Sequence, residues 1–471
     1  MARLNPALPI PAKQPGLGTL AFLVFCWLAA NVLSLDAFAD YPTWIWWGLL
    51  FVASCQSPVT VVFFLCVTQV VGTPPDWKFS MTEFYVIVWS VRNLPYFLSE
   101  GFLRDMRTVV LVAAPFALWV LTCSVLLSNY RLLLGIAVGV ATGIIAIRET
   151  RRGALGAAEI GIAVGAAASL AAMPFWFDKL GLSVVAGGNL ASLVTRTVRR
   201  GGMGRFAGGQ GDYNFLGLTM CVGIAGLIHV ILRPASAGQT RFHRYGRYLA
   251  PIQIVLCVPA VMATISRAAI FGIAVAVLCP IVIQLLAVAR AERVRVLKWL
   301  SLRLAAGMVV VAAVVLISSQ DITSYWQALV TYQEQKTLFE GREFVLSRAV
   351  EGIRANPVTG YLEVGMEEEF AHNTFLDAGA YAGMPGLVLF AILTLFPLIF
   401  AFRKQGLVVC GPVLSEYLLA LYAMLSLSLM YYKVFWVTWS ILLYYAHRGS
   451  AVTTVARAPA LLRAPPVSGT A

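Results

Sequence analysis

The chain has 471 residues, of which 59% are hydrophobic and only 12% charged, with a mean hydropathy of +0.80. A soluble domain carries roughly a quarter charged residues, so a soluble enzyme, a disordered chain, a coiled coil and a collagen are excluded. Long unbroken apolar runs leave an all-α polytopic transmembrane helix bundle rather than a barrel. The net charge of +13 does not mark a nucleic-acid partner, because the basic residues lie in short loops and form no patch interleaved with aromatics.

In chain order, residues 1–16 form an N-terminal tail and residues 17–318 the main helix bundle. Apolar runs that could cross a bilayer lie near 17–35, 43–56, 58–72, 82–99, 108–127, 130–147, 156–176, 212–232, 249–265, 267–289 and 302–318. Residues 319–382 are the one sizeable polar stretch between runs and hold about ten of the 22 acidic residues. C-terminal runs near 383–402, 412–429 and 431–446 follow, then a tail over 447–471 that is expected to be disordered. A span needs about 20 apolar residues, and several runs are shorter, which gives roughly 12 to 14 spans. Residues 17–35 followed by Ala37-Phe38-Ala39 look like a secretory leader, but the run is longer than an h-region and its lead-in carries only Arg3 and Lys13; it reads as a retained first span.

Orientation follows from the basic loops. Arg104 and Arg107, Arg148 to Arg152, Arg233 to Arg247, Arg290 to Arg303, Arg403 with Lys404, and the tail from Arg448 alternate correctly if both termini are cytoplasmic. The 319–382 stretch then lies outside. Within it, Leu338, Val345, Ala349, Val350 and Ile353 are spaced as on an amphipathic helix over Thr331–Ala355, which Pro357 and Gly360 end. The eight cysteines lie in or beside apolar runs with no C-x-x-C spacing. They read as small apolar residues, with no disulfide framework or zinc site.

Four features converge on the outer face. Arg199 to Asn214 is basic and glycine-rich, includes Arg205, and can expose backbone N–H groups to a phosphate; it lacks the G-x-x-x-x-G-K-[ST] pattern of a nucleotide loop. Arg267, in Thr264-Ile265-Ser266-Arg267-Ala268, sits between two runs with almost no loop, where a guanidinium must snorkel or meet an anion. Arg342 lies inside that amphipathic segment of the outer stretch. His372, one of four histidines, precedes a span and has the pKa range of a proton acceptor for a hydroxyl. No D-x-D, H-E-x-x-H or Ser/His/Asp pattern accompanies them. Several outward arginines suit a diphosphate, whose oxygens the planar fork binds in pairs.

The ordered set Ser266-Arg267-Ala268, Gly341-Arg342, Ala355-Asn356-Pro357-Val358-Thr359-Gly360-Tyr361, His372-Asn373-Thr374-Phe375-Leu376 and Gly383-Met384-Pro385-Gly386-Leu387 resembles the O-antigen ligase and Wzy-type polymerase superfamily. Gly211-Asp212-Tyr213-Asn214-Phe215-Leu216-Gly217 looks like its weaker segment ahead of the middle spans. The resemblance covers about residues 200–400. It implies an inner-membrane glycosyltransferase that moves a glycan from undecaprenyl diphosphate to an acceptor hydroxyl at the periplasmic face, without metal or cofactor. The acceptor is the lipid A core in ligases and a growing glycan in polymerases. The resemblance assigns the donor diphosphate to Arg267, Arg342 and Arg205, the acceptor hydroxyl to His372, and supporting roles to Asn214 and Asn373. It also allows for polysaccharide-assembly proteins as partners. An anion transporter is the reading from another class, with Arg92, Glu159, His229 and Lys433 as its few ionisable candidates in or near spans; a non-catalytic assembly partner is a third.

Overall fold

The computed structural model describes residues 44–70, 80–127, 130–179, 197–200, 203–206, 213–232, 241–264, 266–287, 327, 342–361, 373–402, 404–427 and 432–445. The expected spans at 17–35 and 302–318, and His372, lie outside these residues. The described chain is an all-α bundle, and seven of its helices are long and apolar enough to cross a membrane.

The helices are α1 (Trp44–Ser54), α2 (Pro58–Val70), α3 (Met81–Arg92), the single turn α4 (Leu94–Phe97), α5 (Glu100–Leu126), α6 (Arg131–Arg152), α7 (Ala157–Lys179), α8 (Tyr213–Leu232), α9 (Arg241–Ala263), α10 (Arg267–Ala287), α11 (Arg342–Ala355), α12 (Thr374–Ala401) and α13 (Lys404–Ser426). A last helix, α14, runs over 433–445. A short antiparallel hairpin of β1 (Thr197–Arg200) and β2 (Met203–Phe206) precedes α8, inside the stretch read from sequence as glycine-rich and basic.

The run 82–99 is not one helix. α3 starts in a capping box, with Ser80 Oγ accepting from Glu83 N–H and Glu83 Oε2 accepting from Ser80 N–H at 2.6 Å. It stops at Asn93 because Pro95 supplies no N–H and restricts the residue before it. Ser99 then caps α5 through the Phe102 N–H. A side-chain oxygen satisfies one of the N–H groups that any helix start leaves unpaired.

α8 is the buried axis of the bundle, with 83% of its residues inside, and α7, α9, α10 and α13 pack around it. Its glycines make this possible. A methyl at Gly217 would lie 2.6 Å from Ala269 Cβ, and one at Gly223 would overlap Ala168. Small residues let helix backbones approach closely where hydrocarbon surroundings give no hydrophobic drive to associate. α14 is the second buried element. Its Trp436 lies over Gly139 of α6, Trp439 Nε1 donates to Leu393 O at 2.8 Å, and Val434 N–H donates to Gln69 Oε1 at 2.7 Å. Leu111 and Leu118 of α5, Phe271 and Leu278 of α10, and Ile392 and Ile399 of α12 stay exposed. That apolar outer surface fits a lipid environment.

One end of the bundle is marked by a packed polar cluster. Glu149 is fully buried; it pairs with Arg152 at 3.1 Å and accepts from Trp89 Nε1 at 3.2 Å. The Arg148 guanidinium lies 3.8 Å from the Tyr96 ring centroid. Asp105 ion-pairs with Arg151 and accepts from the Tyr96 hydroxyl at 2.6 Å. Burial lifts the Asp105 carboxyl above the usual carboxylate range, against the lowering pull of Tyr96 and Arg151.

Candidate functional site

The opposite end gathers the residues singled out from sequence. α7 runs antiparallel to α8, since Gly161 meets Val230 and Gly223 meets Ala168. α7 begins next to the Arg148–Arg152 cluster, so Tyr213 at the start of α8 is at the far end. α10 lies parallel to α8, with Gly217 against Ala269 and Gly272 against Cys221. α12 runs antiparallel to α13, with Thr374 bonded to Leu427 and Tyr417 to Thr394. The starts of α8, α10 and α12 therefore share one end. Helix starts carry partial positive charge and free N–H groups.

Arg267 is the first residue of α10 and is half-buried. Its position is fixed by a tight turn. Thr264 Oγ1 donates to Val261 O at 2.7 Å and accepts from Ser266 N–H at 3.3 Å, and Ser266 Oγ accepts from Ala269 N–H at 3.3 Å. Thr264 and Ser266 are buried, so the turn is held by groups that water does not compete for. From α13, the Tyr422 hydroxyl donates to Ala268 O at 2.9 Å. This bond ties the residue after Arg267 to a helix 154 positions away in the chain.

Asn214 is the second residue of α8 and is half-buried. Beside it, Phe215 meets Tyr432 edge-on at 5.4 Å, and the Tyr432 hydroxyl bonds Thr219 at 3.3 Å. Asn373 caps α12: its Oδ1 accepts from Phe375 and Leu376 N–H at 3.0 and 3.2 Å, while its Nδ2 donates to Leu425 O at 3.3 Å. Thr374 Oγ1 donates to Leu427 O at 2.7 Å. The end of α13 thus holds α10 through Tyr422 and α12 through Leu425 and Leu427. Arg342 is the first residue of α11, and Arg205 sits on β2 opposite Val198.

α12 begins at Thr374, nine residues before the run expected at 383, and breaks at Ala382 and Gly383, the latter at φ +66°. Residues 356–361 dock into that break. Met384 N–H donates to Pro357 O and Tyr361 N–H to Ala380 O, both at 2.8 Å. The two motifs quoted from sequence around Pro357 and Gly383 are therefore one backbone joint. Ile353 of α11 packs on Gly379, so α11 is fastened to the same half of α12.

Residues 252–391 match the family model described as O-antigen ligase. The match runs from within α9 to within α12, so it takes in Arg267, Arg342, the joint and Asn373, and leaves out Arg205 and Asn214. This segment is similar to O-antigen ligase domains. No curated protein matches the chain. That similarity, in a bundle with seven helices of membrane length among the described residues, supports a multi-pass membrane protein with an O-antigen ligase-like or polymerase role in polysaccharide biosynthesis.

Sequence reading passed over Tyr422, and quoted Thr264 and Ser266 beside Arg267 without seeing that they position it. It also passed over Glu416, a lone acidic residue inside an apolar run, which the same count of ionisable residues in spans would have found.

Proposed function

We propose that the chain transfers a glycan from undecaprenyl diphosphate to an acceptor hydroxyl at the end of the bundle that carries Arg267. The observation that supports this is the grouping of Arg267 with three helix starts, opposite the Arg148–Arg152 cluster. In this reading the cluster faces the cytoplasm, in line with the positive-inside rule, the Arg267 end is periplasmic and the membrane is an inner membrane. Both termini are then cytoplasmic.

In this reading Arg267 and Arg342, with Arg205, hold the donor diphosphate. The bond from the sugar to the diphosphate oxygen breaks as the acceptor oxygen attacks the anomeric carbon. Charge grows on the departing diphosphate, and preorganised guanidiniums and helix N–H groups meet it; such a donor is worth about 3–4 kcal/mol. His372 takes the acceptor's proton, which then leaves to water or to the diphosphate. Asn373 keeps α12 in register with α13, and Asn214 stands at the start of α8. These cations do the work a divalent ion does elsewhere, so turnover is expected to survive chelation. The acceptor is a lipid A core; a polymerase joining repeat units is the alternative.

The test uses purified full-length protein, lipid-linked donor and acceptor. Arg267→Ala, Arg342→Ala and His372→Ala should each lose most turnover. Arg267→Lys should also lose much of it, because an ammonium cannot bind two phosphate oxygens as a planar fork does. Unimpaired turnover in Arg342→Ala and His372→Ala together ends the proposal. In a deletion strain, accumulated lipid-linked polymer indicates a ligase, and accumulated single repeat units indicate a polymerase.

A further inference from the structure

Midway along α13, in the sequence Leu414-Ser415-Glu416-Tyr417, stands a fully buried carboxyl group. Neither Glu416 Oε1 nor Oε2 has a hydrogen-bond partner among the described residues. The carboxyl is seated against two helix backbones. A methyl at Gly226 of α8 would overlap Oε1, and one at Gly161 of α7 would lie 3.5 Å from it. Pro412 and Val230 complete the apolar surroundings of Gly161. Glycine at both positions is what leaves room for an acidic side chain where three helices meet.

An ionised carboxylate with no partner is very costly in such surroundings. A metal ion would need about six oxygen ligands, and here glycine, proline and valine occupy that space. A proton needs no coordination shell. We propose that Glu416 is an intramembrane proton-binding site. The residue before it, Ser415, hydrogen-bonds His229 Nδ1 at 3.0 Å, and His229 lies in the last turn of α8. Of the titratable groups around it, Cys66 on α2 and Tyr432 just before α14 lie near enough to feel its charge, Tyr417 is the next residue on α13, and His229 of α8 bonds the preceding one; Cys221 on α8, Cys279 on α10 and Cys410 on α13 are further thiols of these helices. On α7, Glu159 turns back to accept from Gly156 N–H. Six to eleven residues beyond Glu416, this helix and the residue after it hold α10 through Tyr422 and α12 through Leu425 and Leu427. Loss of the proton, by forcing α13 away from Gly226 and Gly161, reaches those contacts.

The test is an infrared titration of the full-length protein in lipid. A carboxylic-acid C=O band should be present in the wild type, fade as pH is raised, and be missing in Glu416→Gln. Spectra that match the variant at every pH overturn the proposal. If Glu416→Gln fails to fold, wild-type labelling with dicyclohexylcarbodiimide decides. This apolar reagent adds to protonated carboxyls. An adduct on Glu416 whose yield falls with rising pH supports the site; no adduct, or one indifferent to pH, overturns it.

Discussion

The indole Nε1–H of Trp119 on α5 donates to the carbonyl of Ala382 on α12 at 2.7 Å. Ala382 has left helical geometry and is fully buried, so without this donor its carbonyl would face apolar neighbours unpaired. Trp119→Phe keeps most of the ring volume and removes only the N–H. The orphaned acceptor should cost about 1–3 kcal/mol. Thermal unfolding in detergent should show a clear drop in Tm, and transfer activity should fall with it, since the break in α12 carries the docked 356–361 segment.

Gly360 and Gly383 are the two halves of that joint, at φ +78° and +66°. A side chain is strained at either angle by roughly 1–3 kcal/mol. A methyl would also overlap the Ala380 carbonyl from Gly360 and the Val358 carbonyl from Gly383. Gly360→Ala and Gly383→Ala should therefore sharply reduce the yield of monodisperse protein in size-exclusion chromatography. Gly48→Ala, where a methyl meets nothing within 4 Å, should match the wild type in the same run.

The helical bundle was legible because apolar runs and short basic loops are local properties of the chain. Arg267 at the start of a helix was legible for the same reason: two runs abut at Ser266 and leave no loop to hide the charge. The end of α3 was also readable, in Pro95 and Ser99, but hydropathy alone merges 82–99 into one run. The true start of α12 was signalled by Asn373 with Asp377 in the first turn, yet the polar stretch before it drew attention away. What no local pattern shows is that Met384 N–H bonds the Pro357 carbonyl, or that Tyr422 reaches Ala268. These are single long-range hydrogen bonds set by how helices pack, and they decide where the Arg267 turn and the α12 break sit.

Tyr422→Phe isolates one of those bonds. The ring stays, and the donor to Ala268 O is lost. One hydrogen bond is worth about 0.5–1.5 kcal/mol, so Arg267 should be less well held and turnover should fall about three- to ten-fold. The melting temperature should change little. If Arg267 acts on the departing diphosphate, the loss should appear in kcat rather than KM. The double variant Tyr422→Phe with Arg267→Ala should be no slower than Arg267→Ala alone, because the hydroxyl acts through that arginine.

At the other end, Glu149 holds the basic cluster together. It is fully buried between Arg152, Arg148 and Trp89. Glu149→Ala removes the anion and leaves two guanidiniums facing each other, and breaking a buried pair costs about 3–5 kcal/mol. Arg152 is a third exposed, at 34% of its side chain, and its loss leaves Glu149 with Arg148 and the Trp89 N–H, so Arg152→Ala should cost only about 1 kcal/mol. Glu149→Gln keeps an acceptor for Trp89 and should fall between the two. Ranking the three by Tm in detergent checks the order. Since the cluster lies at the end away from Arg267, the surviving folded fraction of each variant should transfer glycan at the wild-type rate per molecule.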